Sequence, residues 1–164
     1  MTDARLVQIS DGEAVTLDLL LTPIGDLDTT QELATAVTIA LGTDARAKPD
    51  DVLPNPNDDN RRGWWGDTEA KEIWDGWPIG CRLWLLSRAK ITGAGAREGA
   101  TKARVEQYIH EALQPFIDRK IATKKTVEVT RNGVGRFDAV VTLFRGPKPA
   151  IELRYSDLWN EIAS

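Results

Sequence analysis

Apolar residues gather in two short runs near the start of this chain, recur at every third or fourth position in its middle and alternate with polar ones in its last third. Two short runs, Leu6-Val7-Gln8-Ile9 and Val15-Thr16-Leu17-Asp18-Leu19-Leu20-Leu21, flank the turn-forming Ser10-Asp11-Gly12-Glu13, which predicts a pair of strands. Leu33, Ala36, Val37, Ala40 and Leu41 then fall on one helical face, with Thr29 and Glu32 spaced as a capping box and Gly42 as a stop. Leu33, Val37, Ile39 and Leu41 also admit a strand, and helix is the preferred reading. Pro49 to Asn60 is rich in Pro, Asn and Asp and predicts a loop. A helix is predicted from Pro78 through Leu83-Trp84-Leu85-Leu86-Ser87-Arg88, followed by a small, glycine-rich link from Thr92 to Gly99. Val105, Tyr108, Ile109, Ala112, Leu113 and Phe116 hold the helical stripe over three turns, and Pro115 should kink it or open a separate last turn.

The last third returns to alternation. Val127 and Val129 interleave with Glu128 and Thr130, Asn132-Gly133 is a hairpin signal, and Phe137 to Phe144 is the return strand. Ile151-Glu152-Leu153-Arg154-Tyr155 adds one more strand, and Ser156-Asp157-Leu158-Trp159 a terminal turn. The order of strands, helices and strands predicts an α+β fold, a small antiparallel sheet packed with two to three helices. We expect a single domain over 1–164: N-terminal strands in 1–28, a mainly helical core with a tryptophan-rich loop in 29–121, and a C-terminal β-hairpin with a strand arm in 122–164.

Composition narrows the function classes more than the fold. A chain of 164 residues can bury a core without a metal or a disulfide, and with Cys81 as its one cysteine it forms no disulfide within itself. A lone thiol fits synthesis in a reduced cytoplasm. The net charge of −4 argues against nucleic acid as a partner, since phosphate binding needs a clustered positive surface. No apolar run approaches the roughly 20 residues of a membrane span. The start, Met1-Thr2-Asp3-Ala4-Arg5, lacks the basic and apolar regions of a signal peptide, so the protein is expected to stay where it is made unless it leaves inside a larger particle.

Conventional catalysis finds little to work with. His110 is the only histidine and falls off its helix's apolar stripe, which predicts a solvated side chain. Cys81 reads as a small hydrophobe packed beside Trp84. So few His and Cys assemble no ordinary zinc site. Asp50-Asp51 and Asp58-Asp59 are adjacent carboxylates in a loop, where a solvated acidic surface is the expected state. Asn57-Asp58-Asp59-Asn60 lacks the alternating ligands, glycine and closing glutamate of a calcium loop. Gly93-Ala94-Gly95-Ala96-Arg97-Glu98-Gly99 follows a predicted helix instead of a strand, so it is not a dinucleotide fingerprint. No catalytic residue, metal ligand or cofactor site is expected.

Tryptophan is the distinctive signal. Trp64, Trp65, Trp74, Trp77 and Trp84 crowd five of the chain's six tryptophans into one span. Three uses compete: a stacking platform for sugars or bases, internal packing, and anchors shared between core and interface beside Arg61 and Arg62. Gly63 and Gly66 bracket the Trp64-Trp65 pair and permit a tight or left-handed backbone there. Asp67 is expected to cap the following segment, Thr68–Ile73. Leu83, Trp84, Tyr108, Ile109 and Leu113 are the expected core, and Arg61 and Arg62 the residues expected nearest a partner.

The string Arg61-Arg62-Gly63-Trp64-Trp65-Gly66-Asp67, followed by Gly80-Cys81-Arg82-Leu83-Trp84-Leu85-Leu86-Ser87-Arg88, resembles the Mu-type phage baseplate wedge family. Ala40-Leu41-Gly42-Thr43-Asp44-Ala45-Arg46-Ala47 upstream resembles the family's approach to the motif, and the resemblance extends over most of the chain. It is similar also to the small wedge protein of T-even phages, sometimes called lysozyme-like, and to its counterpart in contractile secretion machines. The resemblance implies a structural, non-enzymatic role in a contractile tail baseplate within the virion, after synthesis in the host cytoplasm. It implies as partners the large baseplate wedge protein, the tail sheath protein and tube or spike and hub components, with no membrane and no nucleic acid. It also implies initiation of the sheath by strand addition, for which Ile151, Leu153, Tyr155, Leu158 and Trp159 are the candidate region. The Glu-Pro-Arg signature of the broader wedge group is absent, so its core-bundle contacts have no matching residues here. A free-standing module binding glycan or single-stranded nucleic acid through the tryptophans is the alternative.

Overall fold

The computed structural model describes residues 6–10, 15–19, 23, 32–73, 75–77, 79–87, 100–131 and 137–155. The chain divides into two compact units, Met1–Ile39 and Ala40–Ser164. In the first, β1 (Leu6–Ser10) pairs antiparallel with β2 (Val15–Leu19), Leu6 opposite Leu19 and Ser10 opposite Val15. This is the expected hairpin, with its turn residues 11–14 outside the described set. Helix α1 (Glu32–Gly42) follows, and Gly42 ends it as expected. Its buried positions are Leu33, Ala34, Thr35, Val37, Thr38 and Ala40, so the covered face is rotated from the predicted stripe, with Ala36 and Leu41 only half-buried. Thr38 tolerates burial because its hydroxyl donates to the Ala34 carbonyl at 2.9 Å. Thr29 of the predicted capping box lies outside the described residues.

The second unit is built on a three-stranded antiparallel sheet, β3 (Lys124–Arg131), β4 (Phe137–Phe144) and β5 (Pro149–Tyr155), with β4 in the centre. Register aligns Val129, Ala139 and Tyr155 across the three strands, then Val127, Val141 and Leu153, then Lys125, Leu143 and Ile151. These positions share one face, and Phe137, Ala139, Val141 and Leu143 are all but fully buried there. The last β3–β4 pair is Arg131 with Phe137; Asn132 and Gly133 of the expected turn lie outside the described residues.

Helix α3 (Ala100–Ala112) packs on β3 and buries Thr101, Val105, Ile109 and Ala112 at the predicted spacing. Leu113 interrupts it, and a separate short helix α4 (Gln114–Asp118) begins with Pro115 in its first turn. That is the break expected at Pro115, where the ring removes a donor and rejects the carbonyl four residues back. Lys125 lies on the sheet's covered face at this junction. Its ammonium donates to the last-turn carbonyl of His110 and to Gln114 Oε1 at 2.8 Å, which compensates its half-burial.

One predicted element is corrected. The expected helix from Pro78 to Arg88 is not continuous: Cys81 is extended, and among the described residues of that span only Arg82–Leu86 is helical, as a 3-10 segment, with Pro78 and Arg88 outside the described set. The cause is non-local. Cys81 bridges in parallel to Asp44, its N–H donating to Thr43 O at 2.8 Å and its C=O accepting from Ala45 N at 3.0 Å. Gly80, at φ +110°, makes this approach possible, since a Cβ there would stand 2.7 Å from Ala45 N and 2.8 Å from Thr43 O.

Candidate functional site

The tryptophan motif lies at the end of an irregular stretch, 43–63, that wraps over Trp84. Trp84 is buried, packs with Ala47 and Leu85 and is covered by Leu53 and Tyr108. Its indole N–H donates to Ala45 O at 2.8 Å, so the ring and the stretch above it are joined by a polar contact as well as by area. The stretch carries its own staples. Ala47 N donates to Arg61 O, Asp58 Oδ1 accepts from Asn60 N, and Asn60 Oδ1 accepts from Arg62 N, at 3.0, 2.9 and 2.9 Å. The loop-like 49–60 segment is thus irregular and held by side-chain-to-backbone bonds typical of Asn and Asp.

Within the motif the charged groups bond to this chain's own atoms. The Arg61 guanidinium donates to the carbonyls of Lys48 and Pro49. Arg62 pairs with Asp44 at 2.7 Å and lies over the Trp84 ring, 4.8 Å from its centroid. Gly63 is left-handed at φ +112°, as its place in the motif suggests. Gly66 is not, and serves by its size: a Cβ there would meet the Trp64 ring at 2.1 Å. Asp67 differs from expectation. It lies inside the 3-10 segment Trp65–Glu69, which continues into α2 (Ala70–Ile73), and its Oδ2 reaches back to Trp64 N at 3.1 Å. The aspartate therefore secures the entry to the helix instead of preceding it, because the helical turn already starts at Trp65.

Trp65 is the exception. It is 81% exposed, although its ring leans on Trp64 with centroids 5.0 Å apart and planes tilted by 50°. Trp77 by contrast meets Phe116 edge-on at 5.2 Å and carries Arg119 over its face. Trp74 lies outside the described residues. Of the remaining expected site residues, Leu83, Trp84, Ile109 and Leu113 are buried and Tyr108 is half-buried. Ile151, Leu153 and Tyr155 all lie on β5, while Leu158 and Trp159 lie outside the described residues.

A charged centre beneath the loop was not anticipated. Arg82, whose side chain is 9% exposed, donates to both Asp51 carboxylate oxygens at 2.7 and 2.6 Å and also to Glu111 Oε2, and it lies over the Tyr108 ring at 4.8 Å. Asp51 is thus corrected: only Asp50, Asp58 and Asp59 form the solvated acidic surface expected of both pairs. The signal in the sequence was one cation inside the apolar run Cys81-Arg82-Leu83-Trp84-Leu85-Leu86, since a buried arginine demands a carboxylate. Which carboxylate answers it was not legible.

Burial alone would raise the Asp51 carboxyl, but the hydrogen bonds from Arg82 and from Lys48 N, with the nearby positive charges, overcome it and hold the group below its ordinary 3.8. Glu111 behaves alike: burial opposes, while Gln107, Arg82 and Lys48 together hold it below 4.5. Folding therefore favours both charged forms. Their stabilisation is complete above those ordinary values and drains as pH falls through the lower folded values. We predict a flat urea midpoint from about pH 7 to about pH 5, then a steep acid decline that Asp51→Asn makes shallower. An unchanged acid limb in that variant would show the coupling to be absent. Burial also pushes the Cys81 thiol up to about 12, and its Sγ donates to Tyr108 O at 3.4 Å.

The described residues thus form a small α+β unit whose tryptophan motif is tied to its own core. The chain belongs to the phage protein GP46 family, whose pattern matches residues 33–149. It is also similar to baseplate protein gp46 of Escherichia phage Mu, 47% identical over 89 residues, which is 54% of this chain and 53% of that protein. The chain spans about half the length of this curated relative. The resemblance drawn from the motif to a Mu-type baseplate family is thereby borne out.

Proposed function

We propose that the protein is a structural component of a contractile phage tail baseplate, where it joins wedge subunits and starts the tail sheath by strand addition. The observation that carries the reading is β5. Among the described residues it pairs with β4 alone, so its outer row of backbone donors and acceptors faces no strand of this sheet. An added strand would gain affinity from main-chain hydrogen bonds. The name of the Mu relative supports the baseplate setting. Its partners are then the large baseplate wedge protein, the sheath protein and tube or hub components, and its place is the virion tail after synthesis in the host cytoplasm.

The role is not enzymatic. A Cys81 thiol pushed up to about 12 stays protonated at neutral pH and is a poor nucleophile. The test is a chain lacking Ile151–Ser164, supplied during phage growth and inspected by electron microscopy. Baseplates should form and carry bare tubes. Normal sheaths on particles shown to contain only the truncated chain would rule the reading out. Exposed Trp65 favours a second reading, a glycan or single-stranded nucleic acid module, but the 50° tilt of the Trp pair offers no single flat platform. Saturable quenching of tryptophan fluorescence by such oligomers would support it instead.

A further inference from the structure

Three arginines in this fold are held by one repeated device, an aromatic face together with an acidic residue. Arg62 lies over Trp84 and pairs with Asp44; Arg82 lies over Tyr108 and pairs with Asp51 and Glu111. Arg119 lies over Trp77 at 4.7 Å and donates to Asp75 O at 2.8 Å, with the Asp75 carboxylate 3.7 Å away. Trp65 has the same ingredients without the cation. Among the described residues no Arg or Lys lies over its ring, and the carboxylates of Glu69 and Glu72 follow it, exposed, on one helical segment that also carries Lys71. The backbone that presents Trp65 is held by its own chain, since Thr68 Oγ1 donates to Trp65 O at 3.1 Å, Asp67 Oδ2 accepts from Trp64 N and Gly66 closes against the Trp64 ring, while the Trp65 ring leans on Trp64 at 5.0 Å. An exposed, preorganised tryptophan is a poor use of surface for folding and a strong anchor for binding.

We propose that Trp65, with Glu69 and Glu72, receives an arginine side chain presented by a neighbouring protein of the assembly. The inference rests on the baseplate reading and names the chemistry of one contact within it. An aromatic face favours a guanidinium, which is weakly hydrated and stacks flat, over an ammonium, and the carboxylates add charge complementarity at the rim. Arg61 and Arg62, already engaged with their own chain, have the lesser part in that contact.

The experiment places a photo-crosslinking phenylalanine analogue at position 65 of the full chain during phage growth. Irradiated particles are then digested and the joined peptides sequenced. The expected product is a peptide of another baseplate protein with an arginine beside the cross-link. Trp65→Ala should lower incorporation into particles at least about tenfold, the loss typical of a truncated hot spot, and leave the melting of the isolated chain unchanged. Cross-links to a peptide without arginine, to a second copy of this chain, or to sugar or nucleic acid would overturn the proposal, as would undiminished incorporation of Trp65→Ala. Absence of the wild-type chain from purified particles would overturn the baseplate reading with it, which separates the two failures.

Discussion

Arg82→Met is expected to destabilise the second unit by about 3 kcal/mol or more, because it strands the Asp51 carboxylate where water reaches it poorly. The arginine meets two carboxylates and an aromatic face at once. Removing it deletes attraction and leaves the desolvation cost of its partners in place. The paired change Arg82→Met with Asp51→Leu should recover most of the loss, since replacing both members of a buried ion pair by apolar groups is often near neutral. Urea denaturation of the two single variants and the double variant closes the cycle. Additive losses, with no recovery in the double variant, would show that Arg82 acts by packing alone.

Trp84→Ala should cost about 3–5 kcal/mol, the range for emptying an aromatic site in a core. The ring supports three things together: the Ala47–Leu85 cluster, the Ala45 carbonyl and the Arg62 guanidinium. Trp84→Phe separates them, keeping most of the area while leaving the Ala45 carbonyl without its indole donor, at about 1–2 kcal/mol. Amide exchange supplies the local readout. Protection of Ala47 N–H, which donates to Arg61 O, should fall in both variants, while that of the β3–β4 ladder falls only with global stability. Equal stability of wild type and Trp84→Ala would mean that the loop closes without the ring.

These two side chains also mark how far the sequence could be read. The stripe of α3, the break at Pro115, the β1–β2 hairpin and the three strands of the sheet were legible, because each rests on spacing within one element. The segment after Gly80 was not. Every residue from Cys81 to Leu86 is buried, so the run shows no polar side from which to read a period. Its backbone is set by the bridge to Asp44, and its one charge by Asp51, 31 positions away. Pairings at that distance leave no mark in local pattern. The motif itself was legible as a rigid aromatic loop, but not the division inside it, which depends on what each side chain finds nearby. Trp64 and Trp65 are neighbours in sequence and alike in chemistry, yet the helical turn that starts at Trp65 carries one ring over Gly66 and the other into solvent.

The buried thiol has a consequence for durability. Oxidation and disulfide exchange proceed through an exposed thiolate, and Cys81 is 2% exposed with its proton held to about pH 12. Air, peroxide or a passing disulfide therefore finds nothing to attack while the chain is folded. Folded copies of the chain therefore do not weld themselves together through this sulfur.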